Sequence, residues 1–177
     1  VLEEVLQKNL EEVEREPYTE AELEFAKKLA GTYGGSELDV QELLNRYEKS
    51  RKAEVEAFLN AHKDDVICDY IVPLKDTETV MAGSTDVGDV SYCTPTAQLG
   101  TACWANGTPG HTWQVVAQGG SSIGHKGMIA AAKALALATV SAMEQPDLLE
   151  KAHEEFVKAT GGQYVCPVPP ETVPLFD

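Results

Sequence analysis

The stretch Val66-Ile67-Cys68-Asp69-Tyr70-Ile71-Val72-Pro73 decides how the rest of the chain is read. It is short, apolar and β-branched, and proline ends it, which is the pattern of a buried strand. A second run of this kind lies between Pro95 and the turn-rich Ala105-Asn106-Gly107-Thr108-Pro109-Gly110, over about Thr96 to Trp104, with large and small residues alternating. Helical patterns flank both. Helices packed on a small, mostly buried sheet, an α/β layer structure, are therefore the expected fold.

Before the first strand the periodicity is helical. Leu2, Leu6, Leu10 and Val13 recur at helix spacing until Pro17 breaks the pattern. Thr19 followed by Glu22 reads as a capping box, Leu23, Phe25, Ala26 and Leu29 follow at apolar positions, and Gly31 is placed to terminate before the turn at Gly34-Gly35. A further helical region is expected from about Ser36 to about His62, with Leu43, Leu44, Tyr47, Val55, Phe58 and Leu59 as its apolar face. Beyond the strands, residues from about Gly127 to Glu144 are Ala-rich, as in a helix lying close against a sheet, and Pro146 closes it. A last helix, about Asp147 to Thr160, ends at Gly161-Gly162, and the tail with Pro167, Pro169, Pro170 and Pro174 reads as extended.

The chain has 177 residues with 14 Lys plus Arg against 29 Asp plus Glu, a net charge of −15. At roughly 100–200 residues per domain it reads as one unit, 1–177, with a helical first segment 1–65, a middle part 66–145 with strands, loops and a buried helix, and a last helix with a Pro-rich tail, 146–177. The first segment carries 17 acids and 9 bases, the middle only 6 and 3, and the last 6 and 2. No apolar run reads as approaching the ~18 residues of a membrane span. Charge of this sign repels phosphate backbones and anionic bilayers, so neither nucleic acid nor a membrane is an expected partner. Four cysteines, Cys68, Cys93, Cys103 and Cys166, lie far apart with no CxxC pair and fit reduced thiols in a cytoplasmic protein.

Two loops have the composition to carry chemistry. In Gly83-Ser84-Thr85-Asp86-Val87-Gly88-Asp89-Val90-Ser91, two carboxylates, three hydroxyls and two glycines can aim amides and a carboxylate into a cleft. The plainer reading is a turn, capped by Ser84 or Thr85, before a short helix. The second loop, Gly107-Thr108-Pro109-Gly110-His111-Thr112-Trp113-Gln114, places His111 beyond a strand end, where open α/β sheets hold functional groups. His111 is the best single candidate for a metal ligand or general acid/base; a lone loop histidine is otherwise a surface or hydrogen-bonded residue. His125, at a helix start beside Lys126, could meet an anion there. His62 and His153 sit in charged helical stretches and are expected to face solvent. No HExxH, HxH, Walker or GxGxxG motif is present, so spacing alone yields only part of an active site.

Taken together, Gly83 to Ser91, Pro95-Thr96, Gly107 to Gln114 and Gly124-His125-Lys126-Gly127-Met128 resemble the zinc amidohydrolases and metallopeptidases of the aminoacylase and carboxypeptidase G type. The ending resembles them too, in Leu148-Leu149, Phe156, Gly161-Gly162, Tyr164 and the prolines. The resemblance implies the C-terminal portion of a zinc-exopeptidase-like catalytic domain, without the lid and dimerisation domain and without most of the metal ligands and the general-base Glu. It implies His111 as the last metal ligand, with Gly83, Ser84, Thr85 and Asp86 as substrate-binding or supporting residues, and His125 in a position where the broader family usually lacks a histidine. One or two divalent ions, Zn or alternatively Mn or Co, would serve hydrolysis of an amide such as that of p-aminobenzoyl-glutamate, an N-acyl amino acid or a dipeptide. Implied partners are that small-molecule substrate, the remainder of the catalytic domain and the lid, and either a homo-oligomer or a hetero-oligomer with a sister subunit. The alternative is a non-catalytic fragment or subunit that completes the fold of a partner chain.

Overall fold

In the computed structural model of the protein, residues 1–35, 39–75, 85–166 and 168–173 are described below, and all regular structure among them is helical. The expected sheet is absent from the described residues. Among the described residues eight helices follow one another: α1 (Leu2–Glu12), α2 (Glu20–Ala30), α3 (Val40–Leu44), α4 (Lys52–Ala61), α5 (Val87–Cys93), α6 (Trp113–Gly119), α7 (Ser122–Glu144) and α8 (Pro146–Thr160). The α/β expectation is thus corrected to a helical array around two extended, unladdered segments.

The reason lies in what a strand needs. An extended, β-branched segment becomes a strand only when a neighbour takes its amide and carbonyl groups. Val66 and Ile67 are buried as the pattern required, in a core with Ala26, Ala30, Ala105 and Ile123. The backbone beyond them, however, is fastened by side chains. The carbonyls of Val72, Pro73 and Leu74 accept from Gln7 Nε2 (3.2 Å), Tyr47 Oη (2.6 Å) and Arg51 Nη1 (3.0 Å). A single backbone bond, from Asn106 N–H to the Val66 carbonyl at 2.9 Å, links the two segments at one end.

Helix boundaries mostly follow the punctuation of the sequence. Thr19 and Glu22 form the reciprocal capping box, α1 stops before Pro17, and Gly161, at φ 75°, ends α8 in the left-handed conformation. Pro146 occupies the first turn of α8, where its missing N–H is harmless. The helical region expected over about 36–62 holds two helices, α3 and α4, because the chain turns between them to bury Tyr47 beside Leu44, Val55 and Leu59.

The middle of the chain departs further from expectation. α7 begins at Ser122, and its buried positions, Ile123, Gly124, Gly127, Ala130 and Ala134, form one stripe that faces α1 and the core. Much of the rest of its surface is open: Met128, Ile129, Leu135, Leu137, Val140 and Met143 are all exposed. Low charge in this stretch therefore does not mark a buried helix. By length and composition alone α7 is long and apolar enough to cross a bilayer, in contrast to the expectation that no apolar run approaches that length.

Candidate functional site

The loop between the second extended segment and α6 is built from the inside outward. Gln118 of α6 is fully buried and accepts from the Ala105 amide at 2.8 Å, while its Nε2 donates to Thr108 Oγ1 and to the Gln114 carbonyl, each at 3.1 Å. Thr108 Oγ1 in turn donates to the Ala105 carbonyl at 2.6 Å. From the opposite side Tyr33, just beyond α2, donates to the Asn106 carbonyl at 2.9 Å and lies 3.0 Å from Thr108 Oγ1. Gln114 Nε2 reaches Thr32 Oγ1 at 3.1 Å, and its Oε1 is buried with no partner. A core polar network thus ties the loop to two helices.

On that base the loop turns outward. Gly107 is at φ 71° and His111 at φ 58°, the sole non-glycine residue in the left-handed region among the described residues. A side chain there costs of order 1–2 kcal/mol, and histidine is among the residues that tolerate it best. The bend is held by Thr112 Oγ1, which donates to the Pro109 carbonyl at 2.8 Å. His111 and the neighbouring Trp113 are both exposed, so the imidazole is accessible and has no described hydrogen-bond partner.

The other expected site residues lie elsewhere. Thr85 and Asp86 precede α5; Thr85 Oγ1 accepts from the Val87 amide at 3.3 Å in a local turn, while the N-cap residue Asp86 makes no side-chain capping bond. Gly83 and Ser84 lie outside the described residues. His125 is exposed and lines a cavity of about 630 Å³ with Glu22, Ser121, Lys126 and Lys133. Neither His111 nor Thr85 and Asp86 line this cavity or the smaller groove, of about 380 Å³, that Cys68 to Lys75 and Gln98 to Ala102 help to line. Among the described residues no three of His, Cys, Asp and Glu converge on a point where a metal ion would sit. Among the described residues, His111 is therefore a single candidate donor and not a member of a three-ligand group.

Lys126 is not available to meet an anion with His125. Its ammonium lies 2.7 Å from Glu22 Oε2 and donates to the Pro17 carbonyl at 2.8 Å, with both side chains of the pair about nine-tenths buried (11% and 9% exposed). Burial alone would raise the Glu22 pKa, but hydrogen bonds from Lys126, Ser122 and Thr19 outweigh it and hold the carboxyl down at about 2. The anion at the start of α7 is thus the protein's own. Nearby, Tyr18 donates to the Ala102 carbonyl at 3.4 Å, and burial, with Asp69 and Cys103 adding, pushes its phenol up to about 12.

The glycines of Gly124-His125-Lys126-Gly127 also have a packing role. A Cβ at Gly127 would lie 2.2 Å from the Ala102 carbonyl oxygen and 2.7 Å from Cys103 Sγ, and one at Gly124 would lie 2.6 Å from the Gly119 carbonyl oxygen. Only glycine lets α7 approach the second extended segment and α6 this closely. His62, expected at the surface, is partly covered: its Nδ1 lies 2.7 Å from Asp65 Oδ2 and its ring stacks on Tyr70 at 4.0 Å between centroids. Its spacing from Asp65 and Tyr70 is the only sign of this in the sequence. His153 is exposed, as expected.

Comparison with known proteins gives a clear relationship. Over 154 residues, 86% of this chain, the sequence is 40% identical to a p-aminobenzoyl-glutamate hydrolase subunit of Escherichia coli (strain K12), of which the match covers 32%. The chain thus spans about a third of the length of that relative. No family model and no solved structure matches.

Proposed function

We propose that the chain is part of a hydrolase that cleaves an amide bond such as that of p-aminobenzoyl-glutamate. The observation that carries this reading is the 40% identity over 154 residues to a protein named for that hydrolysis. The His111 loop supports it: an accessible imidazole in a strained conformation, on a base fixed by Gln118, Thr108 and Tyr33, is arranged to present a group rather than to pack one. In this reading His111 contributes one neutral imidazole to a divalent ion such as zinc, whose other ligands come from outside the described residues. Trp113, 60% exposed beside it, offers an apolar face to the aryl group of such a substrate.

Release of p-aminobenzoate from p-aminobenzoyl-glutamate is the test. The chain is assayed alone and mixed with the part of the E. coli relative outside the match, with added zinc and with a chelator. Chelator-sensitive release by the mixture, and none by the chain alone, is the expected result. Release that is indifferent to chelation would overturn the metal assignment, and no release from any combination would overturn the hydrolase reading.

A further inference from the structure

α5 buries none of its side chains, so packing does little to hold it in place. Its long-range tie among the described residues comes from the chain beyond α8. Gly161 and Gly162, at φ 75° and 71°, turn the backbone off the end of that helix, and Tyr164 Oη then donates to Asp89 Oδ1 at 2.8 Å, across 75 positions. The same hydroxyl meets the thiol of Cys166, two residues further along the tail. On the other side of this bond, Cys93 follows Asp89 by four residues, one turn along the same face of α5, where Cβ atoms stand about 5–6 Å apart.

One hydrogen bond thus brings together two elements that each carry an exposed thiol. A disulfide needs its two Cα atoms about 4.4–6.8 Å apart. Residues 163–166 are exposed throughout, so the tail can slide to that separation without moving a packed atom. The other two cysteines are placed differently. Cys68 is half-buried, its thiol donates to the Tyr70 carbonyl at 3.4 Å, and burial pushes its pKa up. Cys103 is half-buried with its Sγ packed against Gly127 of α7. Covered thiols of this kind ionise and react poorly, whereas exposed ones are open to exchange. We propose that Cys93 and Cys166 are a redox-responsive pair, and that a low-molecular-weight disulfide such as oxidised glutathione bonds them to each other and locks the tail onto α5.

The exchange balances in two steps. The Cys93 thiolate attacks one sulfur of oxidised glutathione, which breaks the S–S bond of the oxidant, forms a mixed disulfide and releases one glutathione thiolate. The Cys166 thiolate then attacks the Cys93 sulfur, forming the internal S–S bond and releasing the second glutathione. The two protons given up by the protein thiols end on the two released glutathiones, and two electrons pass from protein to oxidant. Tyr164 is a positioning residue in this scheme, since it holds the tail against α5 before either sulfur reacts. Because α5 begins directly after Thr85 and Asp86, the lock restrains their turn as well. The inference does not depend on the hydrolase reading, since it concerns the tail and α5 and not His111.

Equilibration of the 177-residue chain with mixtures of reduced and oxidised glutathione, followed by alkylation and peptide mass spectrometry, tests it. A link between Cys93 and Cys166 within one chain is expected, with Cys68 and Cys103 alkylated as free thiols and hydrogen exchange of the α5 amides slowed about 10-fold or more by the link. Tyr164→Phe should keep the circular dichroism of the parent and slow closure of the mixed disulfide about 5- to 10-fold, because the two thiols lose the bond that gives them a high effective concentration. Thiols that stay reduced, mixed disulfides that never close, a link to Cys68 or Cys103, a link between chains, or closure at the parent rate in Tyr164→Phe would each overturn the proposal. If Tyr164→Phe does not fold, closure in the unaltered chain is compared with and without denaturing urea, and equal rates there would overturn it too.

Discussion

Replacing Lys126 by Met removes the ammonium and leaves a hydrophobic stem of similar length in place. Glu22, only 8% exposed, would then keep its contacts with Thr19 and Ser122 but lose the one positive charge at 2.7 Å. Breaking a buried pair from one side costs about 3–5 kcal/mol, and the lower end applies because Glu22 borders an open cavity where water can reach it. For a chain of this size, about 3 kcal/mol lowers Tm by roughly 6–12 °C at neutral pH. The loss must depend on pH in a fixed direction. The Glu22 pKa falls from an ordinary 4.5 to about 2 on folding, so its stabilisation is fully present above 4.5 and disappears as pH falls toward 2. Thermal unfolding of the parent and Lys126→Met from pH 7 down to about 2.5 should therefore show the two curves converging in acid. Glu22→Gln in the Lys126→Met background should recover part of the loss at pH 7. A difference between parent and variant that stays constant across the range would refute the argument, because the lysine would then act through its bond to the Pro17 carbonyl and not through its charge on Glu22.

Two further substitutions probe the packing that positions the loop. Gly127→Ala drives a methyl into the Ala102 carbonyl at 2.2 Å, where backbone and not a flexible side chain must yield; a loss of about 3 kcal/mol in urea unfolding is expected, against no loss and a gain of up to about 1 for Gly88→Ala, which lies in α5 and meets open space. Gln118→Met keeps the volume but strands the buried Ala105 amide, so it should cost about 2 kcal/mol and speed exchange of amides 105–112 before the rest of α6 opens; unchanged exchange there would show that Gln118 does not anchor the loop.

The helices are legible in the sequence because their signals are local. The Thr19–Glu22 box, Pro146 as the break between two helices and Gly161 at a helix end each act within one turn, and the structure uses all three, with Pro146 itself in the first turn of α8. The expected sheet fails for the converse reason. Val66 to Val72 has the composition of a strand, but pairing is non-local, and whether a partner strand is at hand is not written in those seven residues. The same holds for α7, whose low charge reads as burial although most of its apolar side chains face outward. Of the site, the Gly/Pro-rich loop and its histidine are visible, whereas the anchoring by Gln118, Thr108 and Tyr33 spans up to 75 positions and leaves no local mark. The motif glycines at 124 and 127 look like part of a site, and their visible physical role is to bring backbones together.

The account stands or falls on His111, and its backbone supplies a clean variant. At φ 58° glycine fits with less strain than histidine, so His111→Gly should preserve the loop and raise stability by about 0.5–1 kcal/mol while removing the imidazole. The deciding measurement is the rate of p-aminobenzoyl-glutamate hydrolysis by the zinc-loaded mixture containing this variant, set beside the parent mixture. A fall of about 100-fold or more with assembly intact is predicted, since supporting residues around a metal already cost roughly 10–100-fold. A variant that assembles and turns over at the parent rate would contradict it.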